Sequence, residues 1–235
     1  MNLKTAVALV TGGSSGIGQG IAEALLAGGA KVAITGRNKE KLEAAAKAMG
    51  AHPILADASE EDDAQRAVQE VVTKFGDLDI LVNNAGLGAF KPLLEMDLAS
   101  FQRTFDTNVT GAMLMAREAA KHFIAAKKKG NIVNIGSTAS HRGAANGTAY
   151  YASKFALRGM TECWRQELRK HNIRVMLVNP SEVITNFGAA IGIKQNDNGS
   201  KLKPADIAHA VRTVLEMDDR GFTTELTVFA TNPID

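Results

Sequence analysis

Disulfides, a structural metal and a membrane span all require residues that this chain lacks. Its 235 residues include one cysteine, Cys163, so an internal disulfide framework is excluded. That lone thiol reads as a small apolar group on a helix. The five histidines, at 52, 122, 141, 171 and 209, stand far apart without paired cysteines, and no metal site is expected. No charge of one sign dominates. Lys and Arg number 27 against 25 Asp and Glu, a net +2 that gives no bulk field favouring nucleic acid or an anionic membrane. The run Lys127-Lys128-Lys129 is short and suits a solvated helix end, where cations complement the dipole. The first apolar run, Ala6–Val10, is too short to span a bilayer and lacks a signal-peptide layout. A reducing cytoplasm is the expected setting. No linker, repeat or low-complexity block divides the chain, so residues 1–235 are expected to form one domain.

What is present is alternation. Short β-rich runs occur at Val7–Thr11, Lys31–Thr35, Pro53–Ala56, Ile80–Asn83, Asn131–Ile135, Arg174–Asn179 and Leu226–Phe229. Most are near-continuously apolar, as strands buried on both faces must be. Helical patterns lie between them at Gly18–Ala27, Lys39–Met49, Glu60–Phe75, Phe101–Ala126, Tyr150–His171 and Pro204–Met217. Strands alternating with helices predict βαβ units, and right-handed crossovers then give an α/β fold with a doubly wound parallel seven-stranded sheet. The polar stretch Gln195–Ser200 interrupts the connection after the sixth strand and reads equally as a lid over the sheet's carboxyl edge or as a plain surface loop.

After the first strand comes Thr11-Gly12-Gly13-Ser14-Ser15-Gly16-Ile17-Gly18, followed directly by a helix. Glycines let a backbone approach a pyrophosphate, and a helix N-terminus offers it free N–H groups and a positive dipole end. The spacing departs from the usual G-x-G-x-x-G, so its position between strand and helix carries the cofactor reading. At the end of the second strand, an acid would bind a ribose 2′-hydroxyl and mark NAD(H). Gly36 and Arg37 stand there instead, and a guanidinium suits a 2′-phosphate, so NADP(H) is preferred over NAD(H).

A possible proton-transfer group lies downstream. Tyr150 and Lys154 are four residues apart on a predicted helix and share a face, with Ser137 thirteen residues before the tyrosine. A nearby ammonium favours the phenolate and would bring a phenol, ordinarily near pKa 10, toward neutral pH. Ser137 would hydrogen-bond a developing alkoxide. Tyr151 is three residues from Lys154, and helical spacing alone barely separates the two tyrosines.

These motifs together resemble the short-chain dehydrogenase/reductases, in the single-domain branch, over essentially the whole length. They are Thr11-Gly12 to Gly18, Asp57, Asn83-Asn84-Ala85-Gly86, Asn108, Ser137, Tyr150-Tyr151-Ala152-Ser153-Lys154 and Asn179-Pro180 leading to Thr185. The resemblance implies a Rossmann fold and hydride transfer between a nicotinamide and a carbonyl or secondary alcohol. Its tyrosine, three residues, then lysine pattern selects Tyr150 as proton donor, beside Ser137, Lys154 and Asn108. Asn108 is similar to the family's helix-bending asparagine, which holds a water in a proton relay toward the lysine. The implied cofactor contacts are Gly12, Ser14, Ser15, Gly16, Ile17, Gly18, Arg37, Asp57, Asn84, Ala85, Gly86, Tyr150, Lys154, Pro180, Val183 and Thr185, with Asp57 at the adenine and Thr185 at the nicotinamide amide.

One departure stands out: Ser181 occupies the place of the family's usual glycine after Pro180, and a glycine-only backbone angle there would strain it. The pocket is expected to gather 86–90, 138–146 and 181–187, with a substrate loop at about 181–203. Among substrates, 3-oxoacyl thioesters and general ketones are the nearest fits, with an alcohol or sugar dehydrogenase, or a non-catalytic dinucleotide sensor, as alternatives. The family commonly forms dimers and tetramers through its long helices, and the small residues Ala112, Met113, Met115, Ala116, Ala119 and Ala120 suit close packing, against another chain or against this chain's own core.

Overall fold

The computed structural model describes residues 1–190, 197 and 199–232. Seven parallel strands form one sheet: β1 (Val7–Val10), β2 (Lys31–Gly36), β3 (His52–Leu55), β4 (Ile80–Asn83), β5 (Gly130–Ile135), β6 (Ile173–Pro180) and β7 (Glu225–Val228). Their order is β3-β2-β1-β4-β5-β6-β7. Alternate residues serve opposite faces, as the pleat requires. Ala8, Val10, Val32, Ile34, Ile80, Val82, Val133 and Ile135 join one buried cluster with α1 (Gly16–Ala27), α2 (Lys39–Met49) and α8 (Pro204–Glu216). Val7, Leu9, Ala33, Leu81, Ile132 and Val175 join the other with α3 (Glu61–Phe75) and α5 (Gly111–Ala125). Helix α6 (Thr148–Leu168) closes that second face through Trp164 and Leu168. Both faces are covered, which is why the strands read as unbroken apolar runs. The chain reverses winding direction between β1 and β4, and that switch point opens a crevice at the strands' carboxyl ends.

The single helix expected over Phe101–Ala126 is divided. Helix α4 runs Leu98–Phe105, one wide π turn covers Asp106–Thr110, and α5 continues from Gly111. The cause is tertiary. Asn108 Oδ1 accepts from Leu87 N–H at 2.9 Å, while its Nδ2 donates to Leu87 O at 2.8 Å and to Ser153 Oγ at 2.9 Å. The side chain thereby ties the turn to the loop after β4 and to α6. A short helix, α7 (Asn186–Ala190), follows β6. Gln195, Asn196 and Asn198 of the polar stretch lie outside the described residues, and with them the choice between lid and loop.

The alanine-rich stripe of α5 is used within the chain. Met115, Ala116 and Ala119 join the buried cluster on the sheet's second face, with Met113 packed against it, and Ala112 and Ala120 are buried as well. Among the described residues, no helix is long and apolar enough to cross a membrane, and no group of three or more His, Cys, Asp and Glu could hold a metal ion.

Candidate active site

The loop after β1 is pressed against the loop after β4. Gly12 and Gly16 have φ of +63° and +56°, left-handed angles that a side chain would strain. A Cβ on Gly12 would stand 3.0 Å from Ala85 Cα. Thr11 fastens the two loops: its Oγ1 accepts from the N–H groups of Asn84 and Ala85, each at 3.0 Å. Asn84 completes the latch by donating Nδ2 to Thr11 O at 2.9 Å and Gly12 O at 3.2 Å. Asn84 therefore shapes the glycine loop with its side chain, which is one way of helping to hold a cofactor there.

Helix α1 begins at Gly16 with no acidic residue in its first turn, and Ser15 makes no side-chain cap, so the first N–H groups face the crevice unmasked. That is the chemistry a pyrophosphate needs. Ile17 packs its side chain on the apolar core beneath. Across the loop, a Cβ on Gly16 would stand 3.4 Å from Thr185 Cγ2. The segment after β6 thus meets the glycine loop. Val183 is buried in the core and bridges to Leu202, while Pro180 ends β6. These residues fit a dinucleotide laid across the switch point.

At the far end of the crevice, Ser14 Oγ lies 3.3 Å from where a Gly36 Cβ would be. Arg37 Nη1 is 3.5 Å from Asp57 Oδ2, and the arginine side chain remains 58% exposed. Asp57 also accepts from Ser59 N–H and Oγ–H, at 3.0 and 2.7 Å. Among the described residues the guanidinium makes this one loose pairing, half in water.

The residues expected to be catalytic converge at the other end of this crevice. A Cβ on Gly86 would stand 3.3 Å from Asn108 Oδ1 and 3.8 Å from Lys154 Nζ. Lys154 is 5% exposed, donates to Ile135 O at 2.8 Å, and holds its ammonium 5.8 Å from the Tyr150 ring centroid. Burial pulls that ammonium down to about 8. Tyr150 departs from expectation in the opposite sense. Burial pushes its phenol above the ordinary value, Ser137's hydroxyl, hydrogen-bonded to it, partly offsets this, and neighbouring Tyr151 adds to the rise. The expected lowering by Lys154 is absent, because desolvation penalises both charged forms more than an ammonium beyond the ring can offset.

Ser137 is held on three sides. Its Oγ accepts from Ala139 N–H at 3.1 Å, and its own N–H donates to Asn179 Oδ1 at 3.1 Å and Ser140 Oγ at 3.3 Å. Ser181 brings no strain: among the described residues only Lys127, Asn146 and Asn172 are non-glycine positions with positive φ. Its N–H pairs with Val228 O at 2.9 Å.

Rings surround the phenol. Phe90 and Phe187 lie 5.2 and 5.6 Å from Tyr150, centroid to centroid, and Tyr151 is 6.0 Å away, edge-on. Gly88 makes room for both phenylalanines, since a Cβ there would stand 3.1 Å from Phe187 Cζ. Phe90 and Phe187 fall within the expected pocket segments, but nothing in their spacing singled them out. His141, four residues after Ser137, is turned onto Glu225 at 2.9 Å. Arg142 is exposed.

Comparison with known proteins agrees with this geometry. A profile described as short chain dehydrogenase matches residues 6–196. The chain is 42% identical over 190 residues to (+)-borneol dehydrogenase 2 of Salvia officinalis, covering 78% of this chain and 67% of that one. Two solved structures superpose closely. The 3-ketoacyl-(acyl-carrier-protein) reductase of Brucella melitensis complexed with NADH has a TM-score of 0.89, at 34% identity over 97% of this chain and 98% of the other. A metagenomic short-chain oxidoreductase in complex with NADP gives 0.85, at 35% identity over 99% and 100%. A nicotinamide dinucleotide cradle beside a tyrosine, lysine and serine, on this sheet and with these relatives, has one meaning: the chain belongs to the short-chain dehydrogenase/reductase family and is an oxidoreductase acting on CH–OH and C=O groups.

Proposed function

We propose that this protein is an NADP(H)-dependent reductase of compact, apolar ketones, running in reverse as a secondary-alcohol dehydrogenase. The observation that carries the substrate class is the set of rings packed against the Tyr150 ring. Phe90, Phe187 and Tyr151 offer an apolar wall, and His141, the nearest candidate for a cationic contact, is engaged elsewhere. Such a wall binds by area and shape. The relative named for (+)-borneol, an apolar cyclic alcohol, supports the same reading.

The bound nicotinamide supplies or accepts the hydride, and the protein's residues do the rest. The phenol of Tyr150, raised by burial, is fully protonated at neutral pH and is the acid that delivers a proton to the carbonyl oxygen. Ser137, fixed from its main chain, donates its hydroxyl hydrogen to the same oxygen as negative charge develops there, worth on the order of 3 kcal/mol. Lys154 places positive charge behind the phenol, ready to stabilise the phenolate left after transfer. Asn108 ties the loop carrying Gly86 to α6, so the two sides of the site move as one body.

Oxidation of NADPH and of NADH should be followed in parallel over bicyclic ketones, small aliphatic ketones, a ketose and an acetoacetyl thioester. The bicyclic ketones are expected to give the highest kcat/KM, with NADPH preferred. A thioester preference would replace this substrate class with that of the 3-oxoacyl reductases, and cofactor binding with silence throughout would favour a sensor. Arg37→Ala is expected to weaken NADPH by about 10-fold or more, the loss of one charge-assisted phosphate contact. NADH should change little, and equal losses for the two cofactors would overturn the NADP(H) assignment.

A homodimer or homotetramer belongs to the same proposal. Leu93, Leu94 and Leu98 are 74%, 99% and 78% exposed beside α4, an apolar surface of the kind that packs against a second chain. Light scattering at micromolar concentration should give a mass of two or four chains; a monomer would overturn this.

A further inference from the structure

Ser137 is the end of a longer chain of contacts that starts on β7. Its N–H is accepted by Asn179 Oδ1, and Asn179 is wholly buried in β6. The place of that oxygen is cleared by Gly136, where any Cβ would collide with Asn179 Oδ1. A primary amide has two ends of nearly equal shape and opposite polarity, so burial alone cannot choose which faces Ser137. Glu225 makes the choice. Its Oε1 accepts from Asn179 Nδ2 at 2.7 Å, which turns the amide oxygen toward the serine; His141 Nε2, itself held by Glu225, lies farther from the same nitrogen, at 3.2 Å. The β6–β7 register pairs Leu177 with Glu225 and brings the carboxylate to this amide.

The carboxylate is itself clamped. Arg158 Nε, on α6, lies 3.2 and 3.3 Å from its two oxygens, and His141 Nε2 lies 2.9 Å from Oε1. Arg158 also reaches Glu162 Oε1 at 3.4 Å. Glu225 is 24% exposed in its side chain, against 37% and 38% for Arg158 and His141, so the acid is more enclosed than either of these two partners. An acid at the head of a strand, with three donors converging on it and one of them leading to a catalytic residue, is more than a solvated surface charge.

We propose that Glu225 is a positioning residue for the reaction: through Asn179 it fixes the main chain of Ser137, and thereby the direction in which the serine hydroxyl meets the substrate oxygen. The proposal rests on Ser137 acting at that oxygen. Without Glu225, Asn179 can rotate its NH2 toward the Ser137 N–H, two donors would face each other, and the serine would shift. A shift of about 1 Å at a reacting group costs up to about 100-fold in rate.

The test is a double-mutant cycle on Ser137 and Glu225 with NADPH and the best ketone. Glu225→Ala is expected to lower kcat by about 10-fold with KM and the NADPH Kd unchanged, because only a group used in the transition state is displaced. Glu225→Gln keeps an acceptor for Asn179 and should recover most of that loss. In a Ser137→Ala background, Glu225→Ala should cost almost nothing further, the signature of two residues acting as one unit. Multiplicative losses in the cycle would overturn the proposal, as would a loss confined to NADPH affinity. If Glu225→Ala does not fold, the cycle is run with Glu225→Leu, which also removes the acceptor, and a loss unaffected by Ser137→Ala overturns it equally. Full activity in Ser137→Ala alone would instead remove the serine's role, and the proposal with it.

Discussion

Replacing Tyr150 with phenylalanine is expected to lower kcat by about 10³-fold or more, within the upper range for a positioned proton donor. The NADPH Kd should move little. The substitution deletes one oxygen and leaves the ring in place, since Phe90, Phe187 and Tyr151 pack against carbon. What disappears is the proton and the hydrogen bond with Ser137. Tyr151→Phe is the control, because it removes an equivalent hydroxyl from the adjacent residue and should keep nearly full activity. If Tyr151→Phe is the inactive variant, the proton donor has been assigned to the wrong tyrosine. The raised phenol adds a directional consequence. Carbonyl reduction, which needs the protonated form, should hold its rate from pH 6 through 8; alcohol oxidation, which needs the phenolate, should rise with pH over the same range. Both profiles follow from kcat/KM measured in the two directions.

The parts of this site that were legible in the sequence are those set by local geometry. Tyr150 and Lys154 share a helix face whatever surrounds them, and a glycine run between a strand and a helix has few other uses. The strands were equally plain, because a sheet covered on both faces writes continuous apolar runs bounded by turns; Ile80–Asn83 is found as expected, and the others differ by one or two residues at their ends. Features that depend on what packs against them were not legible. The π turn at Asp106–Thr110 leaves the apolar rhythm of its helix almost intact, so only the resemblance, through Asn108, pointed to a bend there; its cause is Asn108 reaching a loop 21 residues away. The alanine stripe of α5 reads the same whether it faces another chain or its own sheet. Glu225, one residue before the expected seventh strand, carries no signal of its own in the sequence; the β6–β7 register sets it beside Asn179. The sign of the Tyr150 shift failed for the same reason: spacing showed the nearby ammonium, and only packing shows how little water either group retains.

Lys154→Met should show that this lysine is kept at the expense of stability. Its ammonium is buried, donates one hydrogen bond to Ile135 O, and is held down to about 8 by desolvation. An unfolded lysine titrates near 10.4, so the gap amounts to about 3 kcal/mol of destabilisation at pH 7. The sign is fixed by proton counting. Between about pH 8 and 10 the unfolded chain binds a proton that the folded one has released, so this group's contribution to stability rises with pH across that window. Below pH 8 both states are charged and the full penalty stands. Methionine fills a similar volume without charge, although it strands the Ile135 carbonyl at a cost of about 1–2 kcal/mol. The net gain of about 1–2 kcal/mol should raise Tm at pH 7 by about 3–6 °C for a chain of this length. That advantage should shrink as the pH approaches 10, where the wild-type lysine is already neutral. Activity should move the other way, with kcat lower by about 10²-fold or more, because the charge that would stabilise the phenolate is gone. Thermal unfolding of both proteins at pH 7 and pH 10, alongside turnover, measures all of this. A variant less stable than wild type at pH 7, or a Tm gap that widens toward pH 10, would mean that the buried ammonium supports the fold. A stable, inactive variant would show that an uncompensated buried charge is retained here for catalysis alone.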